Sequence, residues 1–162
     1  MAATVVWENS TASGASWSTV TQIRFKNAND ATIDLNDPMV KPPSGVDYSF
    51  EKALRINCTV APSNQISNVR YYFNGSETTG IDSYHKFASG YTQPVEVDGT
   101  SISGYTNTAN STYYSWTGAG TFTGTGQIGQ LLYLCITVGT SVSSGLQNVN
   151  SSGNVQAVWD EI

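Results

Sequence analysis

Charged side chains are scarce in this sequence. Asp, Glu, Lys and Arg supply 12% of its 162 residues, about half the ~25% usual in soluble domains. Histidine occurs once, at His85, and cysteine twice, at Cys58 and Cys135. Each shortage excludes something. Seven Lys and Arg against twelve Asp and Glu leave a net charge of −5, and the nearest approach to a basic cluster is the scattered set Arg24, Lys26 and Lys41. Gripping a phosphate backbone needs several cations on one face, so no nucleic-acid partner is expected. One histidine and two distant cysteines cannot furnish a regular zinc set. No run approaches the ~20 apolar residues of a membrane span, so no membrane partner is expected. The opening "MAATVVWENS" has neither the basic start nor the apolar core of a signal peptide, and the expectation is a chain that is not exported. Two cysteines in a chain of this length do not make a disulfide-dense scaffold.

Catalytic patterns are also missing. "SGASWS" (13–18) lacks the final glycine of a nucleophile elbow. "GAGTFTGTG" (118–126) lacks the lysine and the strand–helix setting of a phosphate loop. His85 lies in "DSYHKF", a less regular stretch that reads as a loop with one helical turn, and it is expected as a surface or loop residue rather than a general base. "NANDATIDLND" (27–37) brings Asp30, Asp34 and Asp37 close together. Oxygen ligands of this kind could hold Ca²⁺, but the EF-hand spacing and glycine are absent, so a solvated turn is expected. Some pair among twelve carboxylates always suits a glycosidase, which discriminates nothing. No catalytic residue, cofactor or metal is therefore expected. Five Asn-x-Ser/Thr sequons occur, at Asn9, Asn57, Asn74, Asn110 and Asn150; in a chain so rich in Asn, Ser and Thr most arise by chance.

Gly, Ser, Thr and Asn take the place of charge. A hydrophobic content of 39%, gathered in short runs of Tyr, Val and Ile, argues against low-complexity disorder. No helical period persists for ten residues, whereas alternation at period 2 is widespread. Strands are expected at "TVVWE" (4–8), "STVTQIRFKN" (18–27), around Ile33 and Leu35, at "FEKALRINCTVAP" (50–62), "SNVRYYFNG" (67–75) and "TQPVEVDG" (92–99). Short strands and turns are expected over 101–127, and the last strands at "IGQLLYLCITV" (128–138) and "NVQAVWDEI" (154–162). Three prolines within "DPMVKPPSG" (37–45) read as an extended crossing. The length suits one domain, 1–162, with N-terminal strands and the Pro-rich crossing over 1–45 and a sandwich core over 46–162. The fold class expected is all-β: an antiparallel β-sandwich of Greek-key type, immunoglobulin-like or jelly-roll-like, with an N-terminal arm or extra strands.

The run "QLLYLCITV" (130–138) poses a question. Alternation puts Leu132, Leu134, Ile136 and Val138 on one face, yet the opposite face carries Leu131, Tyr133, Cys135 and Thr137, which is also largely apolar. A sandwich strand normally has one wet face. Something must cover the second face here: a long loop, the N-terminal arm or another chain. Leu131, Tyr133 and Cys135 are accordingly candidate subunit-interface residues. Tyr105, Tyr113, Tyr114 and Trp116, in a Thr/Gly/Ser-rich region, are candidates for an aromatic binding or contact surface; filling of the core is the competing reading.

Cys58 on a core-patterned strand, Tyr71 on the next, and Cys135 preceded by Tyr133 resemble the immunoglobulin sandwich over 54–138. The resemblance would match Cys58 and Cys135 to its inter-sheet cysteines and Tyr71 to the aromatic packed on them. Alternation instead turns Cys135 away from the core, so two free thiols and a bridge both stay open. A small, weakly charged β-sandwich with Pro-rich, arm-like segments also resembles the head decoration (cement) proteins of bacteriophages, in size, composition and strand pattern over the whole chain. That resemblance implies a non-enzymatic virion protein on the capsid surface, assembled in the host cytoplasm. Its partners would be the major capsid protein and itself, as a homo-oligomer and often a trimer. The alternatives are a carbohydrate-binding or adhesion module and a pilin-like surface subunit.

Overall fold

The computed structural model describes residues 2–11, 16–145, 147 and 154–162. Among these residues eleven strands run in chain order: β1 Thr4–Ser10, β2 Ser18–Thr19, β3 Val46–Tyr48, β4 Lys52–Val60, β5 Ile66–Asn74, β6 Ile81–Ala88, β7 Thr106–Asn107, β8 Tyr114–Ser115, β9 Gly126–Gln127, β10 Leu131–Gly139 and β11 Asn154–Glu161. Among the described residues a single 3₁₀ turn, Ser101–Gly104, is the helical element. The larger sheet has the order β2–β1–β4–β10–β6–β7, with β3 beside the end of β10 and β9 beside the end of β4. The smaller sheet is β11–β5–β8. Every pairing is antiparallel. The protein is an all-β antiparallel sandwich.

Period-2 alternation builds the core. β4 turns Leu54, Ile56 and Cys58 inward, β10 turns Leu132 and Leu134, and β5 turns Val69, Tyr71 and Phe73 to meet them, with Trp116 and Ile128 between. These side chains are buried, and each large one contributes roughly 1.5–3 kcal/mol by leaving water. β5 keeps its facing through one irregularity. Its register with β11 shifts by one between Val158 and Asp160, so that two residues, Asn68 and Val69, stand against Trp159. Asn68 takes φ +51° there, a conformation asparagine tolerates better than most residues. The inserted residue returns Ile66 to the inner face, where a strict period would have turned it outward.

The smaller sheet covers only part of the larger one. Beyond it, Ile81, Ile136, Val138 and Val142 are roofed by Phe25 and Met39 from the crossing at 20–45. The Lys41 ammonium donates to the Val142 carbonyl at 2.9 Å. Most of "STVTQIRFKN" is therefore not a strand. Only Ser18–Thr19 pairs, and Ile23 and Phe25 pack on the core from an irregular segment. No strand forms around Ile33 and Leu35, and "TQPVEVDG" contributes a single bridge, Glu96 to Phe50. Conversely, the stretch around His85 is the eight-residue strand β6, not a helical turn.

The immunoglobulin matching of the cysteines is corrected by the topology. β4 and β10 are neighbours in one sheet, with Leu132 opposite Leu54 and Tyr133 opposite Ala53. Cys58 and Cys135 therefore do not face each other across the sandwich. β10 keeps an unbroken register with β6 from Leu131 to Val138, so no bulge reverses Cys135.

Candidate contact surfaces

The second face of β10 is covered by the chain itself. Leu131 and Tyr133 cluster with Ala53 under Trp17, Ala88, Tyr91 and Tyr105, which come from the segment after β1, the end of β6 and the connection at 89–105. The Tyr133 hydroxyl donates to the Thr92 carbonyl and accepts from the Thr92 N–H, both at 2.8 Å. Beside it lies a partly buried charge group. Glu51 pairs with Lys86 at 2.8 Å and accepts a hydrogen bond from the Tyr105 hydroxyl. The Lys86 ammonium stands 4.4 Å from the centre of the Tyr105 ring, a cation–π contact. Leu131, Tyr133 and Cys135 are thus interior residues of one chain, and the expectation that a partner subunit covers them is corrected.

Both cysteines are buried free thiols, on opposite faces of the larger sheet. Burial pushes the Cys135 thiol up to about 12, helped by the negative charge of Glu51. Burial raises that of Cys58 as well. Neither is a reactive thiolate at neutral pH. Thiol titration without reductant should find no rapid reaction in the native protein and two thiols after denaturation. A count of zero in the denatured protein would contradict this placement.

The four candidate aromatics do not share a surface. Trp116 is core, its indole N–H donating to the Gln130 carbonyl at 2.9 Å. Tyr114 is half-buried and stacks on Tyr71 at 5.5 Å. Tyr105 lies on the other side of the larger sheet. Tyr113 alone is open, 53% exposed; it leans on Tyr72 at 4.5 Å, with the Arg70 guanidinium 5.2 Å from its ring centre. His85, expected in a loop, is buried between the sheets. Its ring lies 4.7 Å from that of Tyr114, and its Nδ1 is 2.8 Å from Thr108 Oγ1. Burial lowers its pKa, so it is a neutral core residue near pH 7.

The acidic loop at 27–37 is organised by Lys26. The Lys26 side chain is fully buried, and its ammonium donates to Asp30 Oδ2 and Asp34 Oδ1, each at 2.6 Å. Asp30 also accepts the Thr32 N–H at 2.8 Å, and Asp34 accepts the Asn36 N–H at 3.0 Å. Such Asx bonds curl the backbone around its own carboxylates. The hydrogen bonds from Lys26 hold both carboxyls below their usual range and raise the pKa of the lysine. The ammonium occupies the position between carboxylates that a cation would take. Asp37 is not part of this knot; its carbonyl accepts the Asn27 N–H at 2.9 Å. From below, buried Lys52 donates to the Asp30 carbonyl at 2.6 Å. Among the described residues no group of three or more His, Cys, Asp or Glu is placed to hold a metal.

Fastened at its base, this crossing displays apolar side chains. Leu35 is 73% exposed, Val40 58% and Ile33 49%. Ile33 also borders an open depression of about 330 Å³, lined further by Asn9, Ser18, Thr19, Gln22 and Ala31. Two of the sequons are poorly presented. Asn9 is buried, and the Asn57 amide donates to Glu8 at 3.0 Å; Asn150 lies outside the described residues. Comparison with family models, curated proteins and solved structures found no match to this chain.

Proposed function

We propose that this chain is a non-enzymatic structural protein of a virion, a capsid decoration or cement subunit that binds and braces the outer capsid lattice. The observation that carries the reading is the loop at 27–45. Lys26, Asp30, Asp34 and Lys52 hold its base, while Ile33, Leu35 and Val40 stand in water. Exposed apolar side chains on a fixed backbone lose little conformational entropy on docking and gain by burial, which suits a protein partner. The capsid as that partner rests on the resemblance in size, composition and strand pattern. The strand order β1–β4–β10–β6 against β5–β11 follows that of strands A-B-E-D against C-F and supports an immunoglobulin-like topology.

The test is cosedimentation of the purified protein with capsids of the virus that encodes it. Ile33→Ser/Leu35→Ser should leave the thermal transition within a few degrees of wild type, because both side chains are already largely wet, and should cut capsid binding at least tenfold. Undiminished binding by this variant would sink the role of the loop, and no binding by wild type would sink the capsid reading. An adhesion module is the second reading, favoured by open Tyr113 beside Tyr72 and Arg70. In that case glycan binding should be present in wild type and absent in Tyr113→Ala.

A further inference from the structure

Sheet edges decide where a β-protein meets another chain, because an edge strand offers unpaired N–H and C=O groups. Among the described residues, every strand longer than three residues has neighbours on both sides, with one exception. β1 lies between β2 and β4, β4 between β1 and β10, β5 between β11 and β8, β6 between β10 and β7, and β10 between β6 and β4 or β3. β11 has β5 on one side and no strand along the other. It is eight residues long, NVQAVWDE, and contains no lysine, arginine or proline to discourage pairing. The irregularity in its pairing belongs to β5, where Asn68 is the inserted residue, so β11 itself carries no extra residue. Its core-facing Val155, Ala157 and Trp159 are only half-buried, whereas Val69, Tyr71 and Phe73 on adjacent β5 are buried.

We propose that β11 pairs along its free edge with β11 of a second copy, antiparallel about a twofold axis at Ala157. The two three-stranded sheets then join into one of six strands. The occupant is a second copy because this register is self-complementary. Val155 stands opposite the partner's Trp159, and Ala157 opposite the partner's Ala157, so apolar residues meet on the inner face. Gln156 stands opposite the partner's Val158, and Asn154 opposite the partner's Asp160, so no like charges face each other. A register centred on Asp160 sets that carboxylate against its own copy. Pairing at Ala157 also engages the longest stretch of the strand, and the small alanine leaves room at the axis. Such an isologous contact closes at two copies. It does not rest on the capsid reading, and cosedimentation with capsids can fail without affecting it.

Light scattering on the eluting peak tests the pairing. Wild type should have twice the 17.3 kDa mass of the chain. Gln156→Glu/Val158→Glu should halve that mass, because residues 156 and 158 are partners across the axis and carboxylates would then oppose each other. Each substitution suits its own chain: a carboxylate at 156 can still accept from the Tyr72 hydroxyl, and one at 158 sits opposite Arg70 in the register. As a second measurement, Ala157→Cys should give a covalent dimer on mild oxidation, since cross-strand partners lie within disulfide reach. A wild-type monomer at micromolar concentration, a charged double variant that remains dimeric, or a folded Ala157→Cys protein that does not cross-link would each overturn the proposal.

Discussion

Leu134→Asp and Tyr133→Asp should both abolish folding, although the two side chains point to opposite faces of β10. Leu134 lies in the inter-sheet core, fully buried, opposite His85 on β6 and Lys52 on β4. Replacing it removes about 1.5–3 kcal/mol of apolar burial and buries a carboxylate beside a lysine whose ammonium is already engaged by the Asp30 carbonyl, at a further cost of several kcal/mol. Domains of this size have about 5–15 kcal/mol in total. Tyr133 would be the harmless one if the second face awaited a partner. The structure buries it as completely as Leu134, beneath Trp17, Tyr91 and Tyr105. An aspartate there loses the ring, the hydrogen bonds to Thr92 and the packing of Ala53 and Leu131. Tyr133→Phe is the control; it gives up the hydroxyl pair and should cost only about 0.5–1.5 kcal/mol. Circular dichroism and thermal unfolding distinguish the three. A folded Tyr133→Asp protein would show that the cover is a loose flap rather than part of the domain.

Where side chains alternate cleanly, the strands could be read directly. Leu54, Ile56 and Cys58 on β4, Val69, Tyr71 and Phe73 on β5, and Leu132 and Leu134 on β10 all face as their period demands. β6 was hidden because Ser83 and His85 occupy two of its inward positions, and polar residues there erase the apolar period. The second face of β10 was legible as covered, but its cover was not. Trp17, Tyr91 and Tyr105 are single aromatics in segments without periodicity, and only the folded chain brings them together. Strict alternation over 23–26 would set Lys26 beside Arg24, on the face opposite Ile23 and Phe25. Lys26 is buried because Asp30 and Asp34, four and eight residues on, fold back over it. A charged residue can lie inside when its own loop supplies the counter-charge, and no pattern of hydrophobicity reports that.

Lys52→Met should change the pH dependence of stability on the alkaline side of neutrality. Lys52 is buried at the start of β4, directly opposite Leu134, with its ammonium on the Asp30 carbonyl. Burial lowers its pKa to about 8 from 10.5; the positive charge of Lys26 adds to this, and the Asp30 carboxylate opposes it. A lysine with a depressed pKa weakens the folded state while both states hold the proton. Between pH 8 and 10.5 the unfolded chain binds more protons than the folded one, so the contribution of Lys52 to stability rises with pH across that window. The shift corresponds to about 3 kcal/mol lost at neutral pH relative to strongly alkaline pH, of which roughly 2 kcal/mol returns by about pH 9.5. Cys135 and Tyr105 act in the opposite sense, because burial raises their pKa values and their contributions fade as pH rises past the unfolded values near 9 and 10. The wild-type curve alone therefore mixes opposing slopes, but the difference between wild type and variant isolates the lysine. Methionine fills the same channel without charge. It leaves the Asp30 carbonyl without its donor, a pH-independent cost of roughly 1–3 kcal/mol. Urea unfolding at pH 7 and at about pH 9.5 should show the variant losing ground to wild type by roughly 2 kcal/mol as pH rises. Parallel curves would mean that Lys52 is solvated in the folded protein and that the base of the loop is open to water.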